Sequence, residues 1–513
     1  MKNLSIAIVC TVLACATGAT CADDAPAVTT AKPATPAKPV PKEDKTVTHH
    51  TVNIGGSSVA YTASVGNLVI KNDKEEPNAS VFYVAYTRDG VKDAEHRPVT
   101  FVYNGGPGSA SIWLHMGAFG PQRVVTSDAM PTPPPPYGLV NNEDSLLDRT
   151  DLVFIDAIGA GYSRPVGKGE DKDFWGVDED VTAFGKFIQR YISVNNRWQS
   201  PKFLLGESYG TTRSANLVDW LQHQGVACNG VILISSVLNY GDVFAGTDLE
   251  YVTYLPSFAA IAWYHDKLPN KPAKLEPFLD EVRAFARGPY ADALFQGSRL
   301  PADQYAEILH RLHAYTGLSE DYLKNANLRV SATRFRAELL RGDDRTMGRY
   351  DARFEGINED NAEELPDYDA SDTAISAAFT AAFHQYLSND LGYTGEGDYK
   401  TTNPDVIRNW DWKHPLPGRP AFLTPPLPNV QANLAEAMRL NPHLKVYSAN
   451  GYFDLATPFF KTEFDLDQMA LPPELVQNVT LGYYPSGHMI YLNPDARKQL
   501  KADLDKFYDS VKP

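Results

Sequence analysis

Strands alternating with helices from residue 151 onward, a serine framed by glycines at the end of one strand, and a glycine–histidine loop after the last strand together predict an α/β-hydrolase fold. The expected architecture is a mostly parallel central sheet with a helical cap inserted between its strands. Leu152-Val153-Phe154-Ile155 is a continuous apolar run, the pattern of a strand covered on both faces. Val177, Val181, Phe184, Ile188 and Tyr191 then recur at spacings of three or four, which indicates a helix. Phe203-Leu204-Leu205 and Val231-Ile232-Leu233-Ile234 are the next strands. Upstream, runs at 51–54, 58–64, 66–71, 79–87 and 98–103 are rich in Val, Tyr and Thr and are separated by turn pairs such as Gly55-Gly56 and Asp89-Gly90. They read as antiparallel strands leading into the main sheet. The first part of the core is thus expected over 47–239. Residues 240–415 break the rhythm: aromatic, charged and helix-forming residues prevail without a buried-strand run, which predicts a mainly helical cap. The core resumes over 416–513, with strands at Leu444 to Tyr447 and Val479 to Tyr483. Ala496, Leu500, Leu504 and Phe507 mark a closing helix.

The 513 residues are 43% hydrophobic and 11% aromatic, enough for a large buried core. The formal charge of −16 makes the surface a poor partner for a polyanion, and no basic, aromatic-studded patch speaks for nucleic acid. Residues 1–22 read as a signal peptide: Lys2, an apolar stretch from Leu4 to Ala16 too short to span a bilayer, then small residues. After its removal no integral membrane segment is expected. Val12-Leu13-Ala14-Cys15 faintly resembles a lipoprotein cleavage site, which makes Cys15 a candidate lipid anchor. Residues 23–46, rich in Ala, Pro, Lys and Thr, read as a disordered linker. Three of the four cysteines lie in the first 22 residues and only Cys228 in the body, so no intrachain disulfide is expected there, and no Cys/His cluster suggests zinc. An exported chain without disulfides fits a bacterial periplasm. Pro131 to Pro136 reads as a stiff surface spacer.

The chemistry starts from Gly206-Glu207-Ser208-Tyr209-Gly210, directly after Phe203-Leu204-Leu205. A strand, a sharp turn and a helix in that order form a nucleophile elbow, with Ser208 as the nucleophile. A serine hydroxyl is a weak nucleophile until a base takes its proton, and in this fold the acid and then the histidine follow in the chain. His488, in Pro485-Ser486-Gly487-His488-Met489 just past a strand, is the candidate base. His384, His414 and His443 lack such a loop. Asp454, in Asn450-Gly451-Tyr452-Phe453-Asp454, is the candidate acid that orients the imidazole, with Asp465 and Asp467 as rivals. Asn104-Gly105-Gly106-Pro107-Gly108 follows strand Val99 to Tyr103. Its Gly106 N–H and that of Tyr209 are the candidate oxyanion donors.

Four blocks together resemble the serine carboxypeptidase family: Asn104-Gly105-Gly106-Pro107-Gly108-Ser109-Ala110-Ser111, Gly206-Glu207-Ser208-Tyr209-Gly210, Asp156 through Gly159-Ala160-Gly161-Tyr162-Ser163, and Gly487-His488-Met489. The resemblance implies an exopeptidase that removes C-terminal residues from peptides through an acyl-enzyme, with no metal and no cofactor. It also implies that Asn104 and Glu207 bind the substrate's terminal carboxylate, Glu207 as a neutral acid, since two ionised carboxylates repel. Met489, beside the histidine, is a further candidate substrate contact. Three departures stand out. The family's cysteine in the glycine-rich block is Ser109. Its second carboxylate-recognising glutamate aligns with Ala118. Its Gly-Asp-x-Asp block is reduced to Gly451-Tyr452-Phe453-Asp454. Such departures suit a bacterial branch. An esterase, an acyltransferase or a broader serine peptidase could use the same triad, and a non-catalytic binding protein is the reading from another class.

Overall fold

The computed structural model describes residues 37–242, 247–420, 422 and 424–511. The expected signal peptide, Cys15 and most of the expected linker lie outside these residues. The chain from Lys38 onward folds as one unit.

Among the described residues nine strands form the main sheet: β1 (Lys45–Ile54), β2 (Ser57–Lys71), β3 (Pro77–Arg88), β4 (Val99–Tyr103), β5 (Asp151–Ile155), β6 (Lys202–Ser208), β7 (Gly230–Ser236), β8 (Lys445–Gly451) and β9 (Val479–Tyr484). Their order is β1-β2-β3-β5-β4-β6-β7-β8-β9, and the short Arg164–Pro165 strand adds to β3 as a tenth. β1, β2, β3 and β5 pair antiparallel. From β5 onward every pairing is parallel. This is the α/β-hydrolase sheet, with strand-to-helix crossovers on its parallel side.

Two differences from the sequence reading concern the entry strands. The runs 58–64 and 66–71 are one continuous strand, β2. Gly66 marks no turn; a Cβ there would lie 2.2 Å from the Asp44 carbonyl oxygen, so glycine admits the close approach of the neighbouring chain. The tether expected up to residue 46 is also shorter. Lys38 bridges to Gly167, Glu43 takes a bidentate pair from Arg190, and β1 begins at Lys45. The Ala/Pro composition hid these contacts because they depend on partners more than 120 residues away.

The alternation of side chains across each parallel strand feeds two cores. Phe154, Leu205, Ile232 and Ile234 face one layer, while Val153, Leu204, Val231 and Leu233 face the other. The second layer is covered by α1 (Val177–Val194) and α2 (Tyr209–His223), the first by the closing helix Pro494–Ser510. Between β7 and β8 the chain is mainly helical, from α3 (Asp248–Tyr264) through Leu275–Phe285, Ala302–Thr316 and Ser376–Gln385. Ser376–Gln385 packs into the sheet core through Phe379 and Phe383, while the first three of these helices have their own core, in which Phe258 stacks on Phe335 with ring centroids 4.1 Å apart. That core also takes in Tyr452, Phe453, Leu455 and Phe459 from the loop after β8. The inserted helices are therefore packed onto the loop that carries Asp454. Among the described residues no helix is long and apolar enough to cross a membrane.

Candidate active site

The turn at the end of β6 is strained. Ser208 has φ 61° and ψ −129°, a conformation that costs an L residue on the order of 1–3 kcal/mol. It holds the serine at the start of α2, where the Thr211 hydroxyl closes the turn on the Ser208 carbonyl at 2.7 Å. The glycine-rich loop after β4 presses against the same helix start. A Cβ at Gly105 would sit 2.5 Å from the backbone nitrogens of both Tyr209 and Gly210. Gly106 opens onto a cavity of about 400 Å³, as do Ser208, Glu207, Asn104, His488 and Met489. Tyr209 is the first residue of α2, so its N–H has no acceptor one turn back and is free to serve another purpose.

The histidine and acid meet from two different loops. His488 Nδ1 and Asp454 Oδ2 are 2.7 Å apart, with both residues buried. Asp454 also accepts from the N–H groups of Ala456 and Thr457, at 2.7 and 3.0 Å, and from the Thr457 hydroxyl at 2.7 Å. Its orientation is thus fixed by more than the imidazole. Burial pulls the His488 pKa down, but the Asp454 charge and hydrogen bond outweigh it, with Glu207 adding, and the value lies above the ordinary histidine range. Because Nδ1 is taken, Nε2 is the nitrogen left for a substrate-side proton. The rival acids are engaged or placed elsewhere: Asp465 pairs with Lys461 and accepts from Gln431, and Asp467 is exposed at the end of its helix.

Asn104 and Glu207 form a second buried pair. Asn104 Nδ2 donates to Glu207 Oε1 at 2.7 Å, and Asn104 Oδ1 accepts the Leu114 N–H at 3.1 Å. Glu207 Oε2 has no hydrogen-bond partner, and the Tyr491 hydroxyl lies beside it without a well-formed bond. Burial pushes the Glu207 carboxyl up to about 7, against the opposing pull of His488 and the hydrogen bond from Asn104. Near neutral pH a substantial fraction of it is carboxylic acid with a proton to donate. Ala118 is buried in the core, while Ser109 lines the cavity and accepts from the Trp113 indole at 3.0 Å.

Several contributors gave no sequence signal. Arg213, wholly buried behind the elbow, pairs with Asp180 at 2.6 Å and donates to the Asn104 carbonyl at 2.8 Å. Its guanidinium lies over Phe184, 4.2 Å from the ring centroid. It ties the glycine-rich loop to α1 and α2. The inserted segment 349–353 is pinned to the loops of both Asp454 and His488: the Leu455 N–H donates to the Arg349 carbonyl, the Ala352 N–H to the Phe453 carbonyl, and the His488 N–H to the Tyr350 carbonyl at 2.6 Å. Asp351 accepts the Gly487 N–H. Among the described residues the one grouping of potential metal ligands is Asp219, His223 and Glu436, and none of its members lines the cavity.

The family model for serine carboxypeptidase matches residues 63–266, which include the glycine-rich block and the elbow. Over these residues the chain is similar to the serine carboxypeptidase family. It is 32% identical over 145 residues to the pheromone-processing carboxypeptidase KEX1 of Saccharomyces cerevisiae, an overlap that covers 27% of this chain and 19% of that protein. The chain thus spans about a fifth of the length of the curated relatives it matches. Among solved structures, Kex1(delta)p, a prohormone-processing carboxypeptidase from the same yeast, superposes with a TM-score of 0.54 and 14% identity. That superposition covers 87% of this chain and 91% of the yeast one, a likeness of fold. The likeness to the family lies in the first half of the chain. The histidine and acid, which lie beyond the matched residues, are brought together by the geometry above.

Proposed function

We propose that the chain is a serine-type carboxypeptidase that releases C-terminal residues from peptides through an acyl-enzyme on Ser208. The observation that carries this reading is the shared cavity, in which an elbow serine, a histidine held by a buried aspartate, and a neutral-acid Glu207 paired with Asn104 stand together. Ser208 Oγ attacks the scissile carbonyl carbon while His488 Nε2 takes its proton. Asp454 keeps the proton on Nδ1 and offsets the imidazolium charge. The N–H groups of Gly106 and Tyr209 receive the developing oxyanion. His488 then protonates the departing amine, and water repeats the sequence on the ester. The terminal carboxylate of the substrate accepts from Asn104 and from the Glu207 acid, and Met489 contacts the residue being released. This chemistry requires no metal or organic cofactor.

One observation favours a broader hydrolase: the family's second carboxylate-recognising glutamate is Ala118 here. A blocked dipeptide assayed with its C-terminus free and amidated separates the two. Cleavage of the free acid only supports the carboxypeptidase, and equal turnover of both forms would replace it with an endopeptidase or general hydrolase. The composition of residues 1–22 and the lone buried Cys228 support export to a bacterial periplasm, by signal peptide or by a lipid anchor at Cys15. The packing of the 240–415 helices onto the Asp454 loop supports their role as a cap.

A further inference from the structure

From the position of Arg349 in the catalytic cavity we infer that the acyl-side subsite binds an acidic side chain, so that the enzyme prefers peptides with Glu or Asp just before the scissile bond. The inference rests on the carboxypeptidase reading above and adds a substrate class to it.

Arg349 is the one arginine or lysine among the described residues that line the cavity. Nearby Arg353 is consumed by Asp351 and Asp128. Arg349 has no such carboxylate pair among the described residues; its guanidinium lies 5.4 Å from the Tyr350 ring centroid. The residue is exposed even though it belongs to the packed segment between the acid and histidine loops, so what it is open to is the cavity. Asp369 and Asp454 favour its charged form from beyond ion-pair distance, and an arginine in a recess without a direct carboxylate partner is a site for an anion.

The backbone makes this placement rigid. The Arg349 carbonyl accepts the Leu455 N–H at 3.1 Å, and its own N–H donates to Asp369 at 3.0 Å. The next residue, Tyr350, accepts the His488 N–H. Arg349 is therefore held in fixed register with both the acid and the base of the triad.

The side of the cavity follows from its neighbours. Asn104, Glu207 and Tyr491 cluster together, where the departing residue's carboxylate is read. Arg349 instead interacts electrostatically with Tyr350, Tyr254 and Tyr240 and, at longer range, with Asp369 and Asp454. Ser208 and His488 open onto the cavity with both sets. A carboxylate on the acyl residue would meet Arg349 while its methylenes cover the tyrosines. The other acid in the wall, Asp372, is driven by burial toward its neutral form and accepts from Ser376, which limits its repulsion of such a ligand.

The test compares N-blocked dipeptides with Glu, Gln or Lys as the acyl residue and a common C-terminal Phe. Wild type should show kcat/KM for Glu about 10- to 100-fold above Gln, the span of a charge-assisted hydrogen bond. In Arg349→Met the Glu and Gln substrates should converge to within about threefold, with far-ultraviolet dichroism and fluorophosphonate labelling of Ser208 retained as the sign of an intact fold. Arg349→Glu should turn the preference toward Lys. Cleavage of all three without a preference for Glu would overturn this inference alone, as would a preference that survives in Arg349→Met. Failure to cleave any of the three would overturn the carboxypeptidase reading and this inference with it.

Discussion

Glu207→Gln separates the carboxylate-reading acid from the triad, and its effect can be worked from the site. Burial places the Glu207 pKa at about 7, so a rise in pH removes the proton that, in the proposed reaction, meets the substrate's terminal carboxylate. At pH 9 about one molecule in a hundred retains it, and kcat/KM for a free-acid peptide should fall about tenfold per pH unit above neutrality. Glutamine keeps a donor at every pH, so the alkaline fall should flatten in the variant. The acid limb, shared by His488 and Glu207 as interacting groups, should persist because His488 still has to be neutral to act as base. Stability gives a second readout. A carboxyl raised from 4.5 to about 7 keeps its proton in the folded chain after the unfolded chain has lost it. Between those values the folded state binds more protons, so the wild type loses stability as pH rises, by about 3 kcal/mol once past the upper value. Glutamine removes that loss, and Glu207→Gln should unfold at a higher temperature than wild type at pH 8 while differing little at pH 4. An alkaline limb equally steep in the variant would refute the assignment of Glu207 as a neutral donor.

His488→Ala should lower kcat by about 10³-fold or more on any substrate, measured by steady-state hydrolysis, and a variant within about tenfold of wild type would unseat the base. Arg213→Met leaves Asp180 buried without its counter-ion, so denaturant unfolding should show a loss of about 3–5 kcal/mol. Gly105→Ala places a methyl group within 2.5 Å of two backbone nitrogens at the start of α2. It should displace the proposed oxyanion donors and cost about 10²-fold or more in kcat, with far-ultraviolet dichroism unchanged.

The parts of the site encoded by local sequence were legible from it. Ser208 and the glycine-rich loop each require glycines at fixed offsets from a strand end, and His488 sits in a short loop after β9. The choice of Asp454 over Asp465 was a matter of position along the chain, and only the 2.7 Å contact with His488 separates them. Arg213 and Asp180 had no signal because their partnership joins two helices 33 residues apart, and a buried arginine looks like any surface one in sequence. Arg349 was hidden for a related reason. It lies in an irregular stretch of the insertion, and its importance comes from hydrogen bonds to loops more than 100 residues downstream. In the fold, the strand alternation announced the sheet, whereas the anchoring of residues 38–44 depended on Gly167 and Arg190, which no window around them contains.

The stitching of residues 349–353 to the loops of Asp454 and His488 has a consequence for biogenesis. Base and acid hold their mutual register through hydrogen bonds to the insertion, so competence to acylate should require the insertion to be in place around them. A fluorophosphonate label on Ser208 would then chart the maturation of the whole molecule. A nick or deletion anywhere in that five-residue stretch would silence the serine without touching a single triad member.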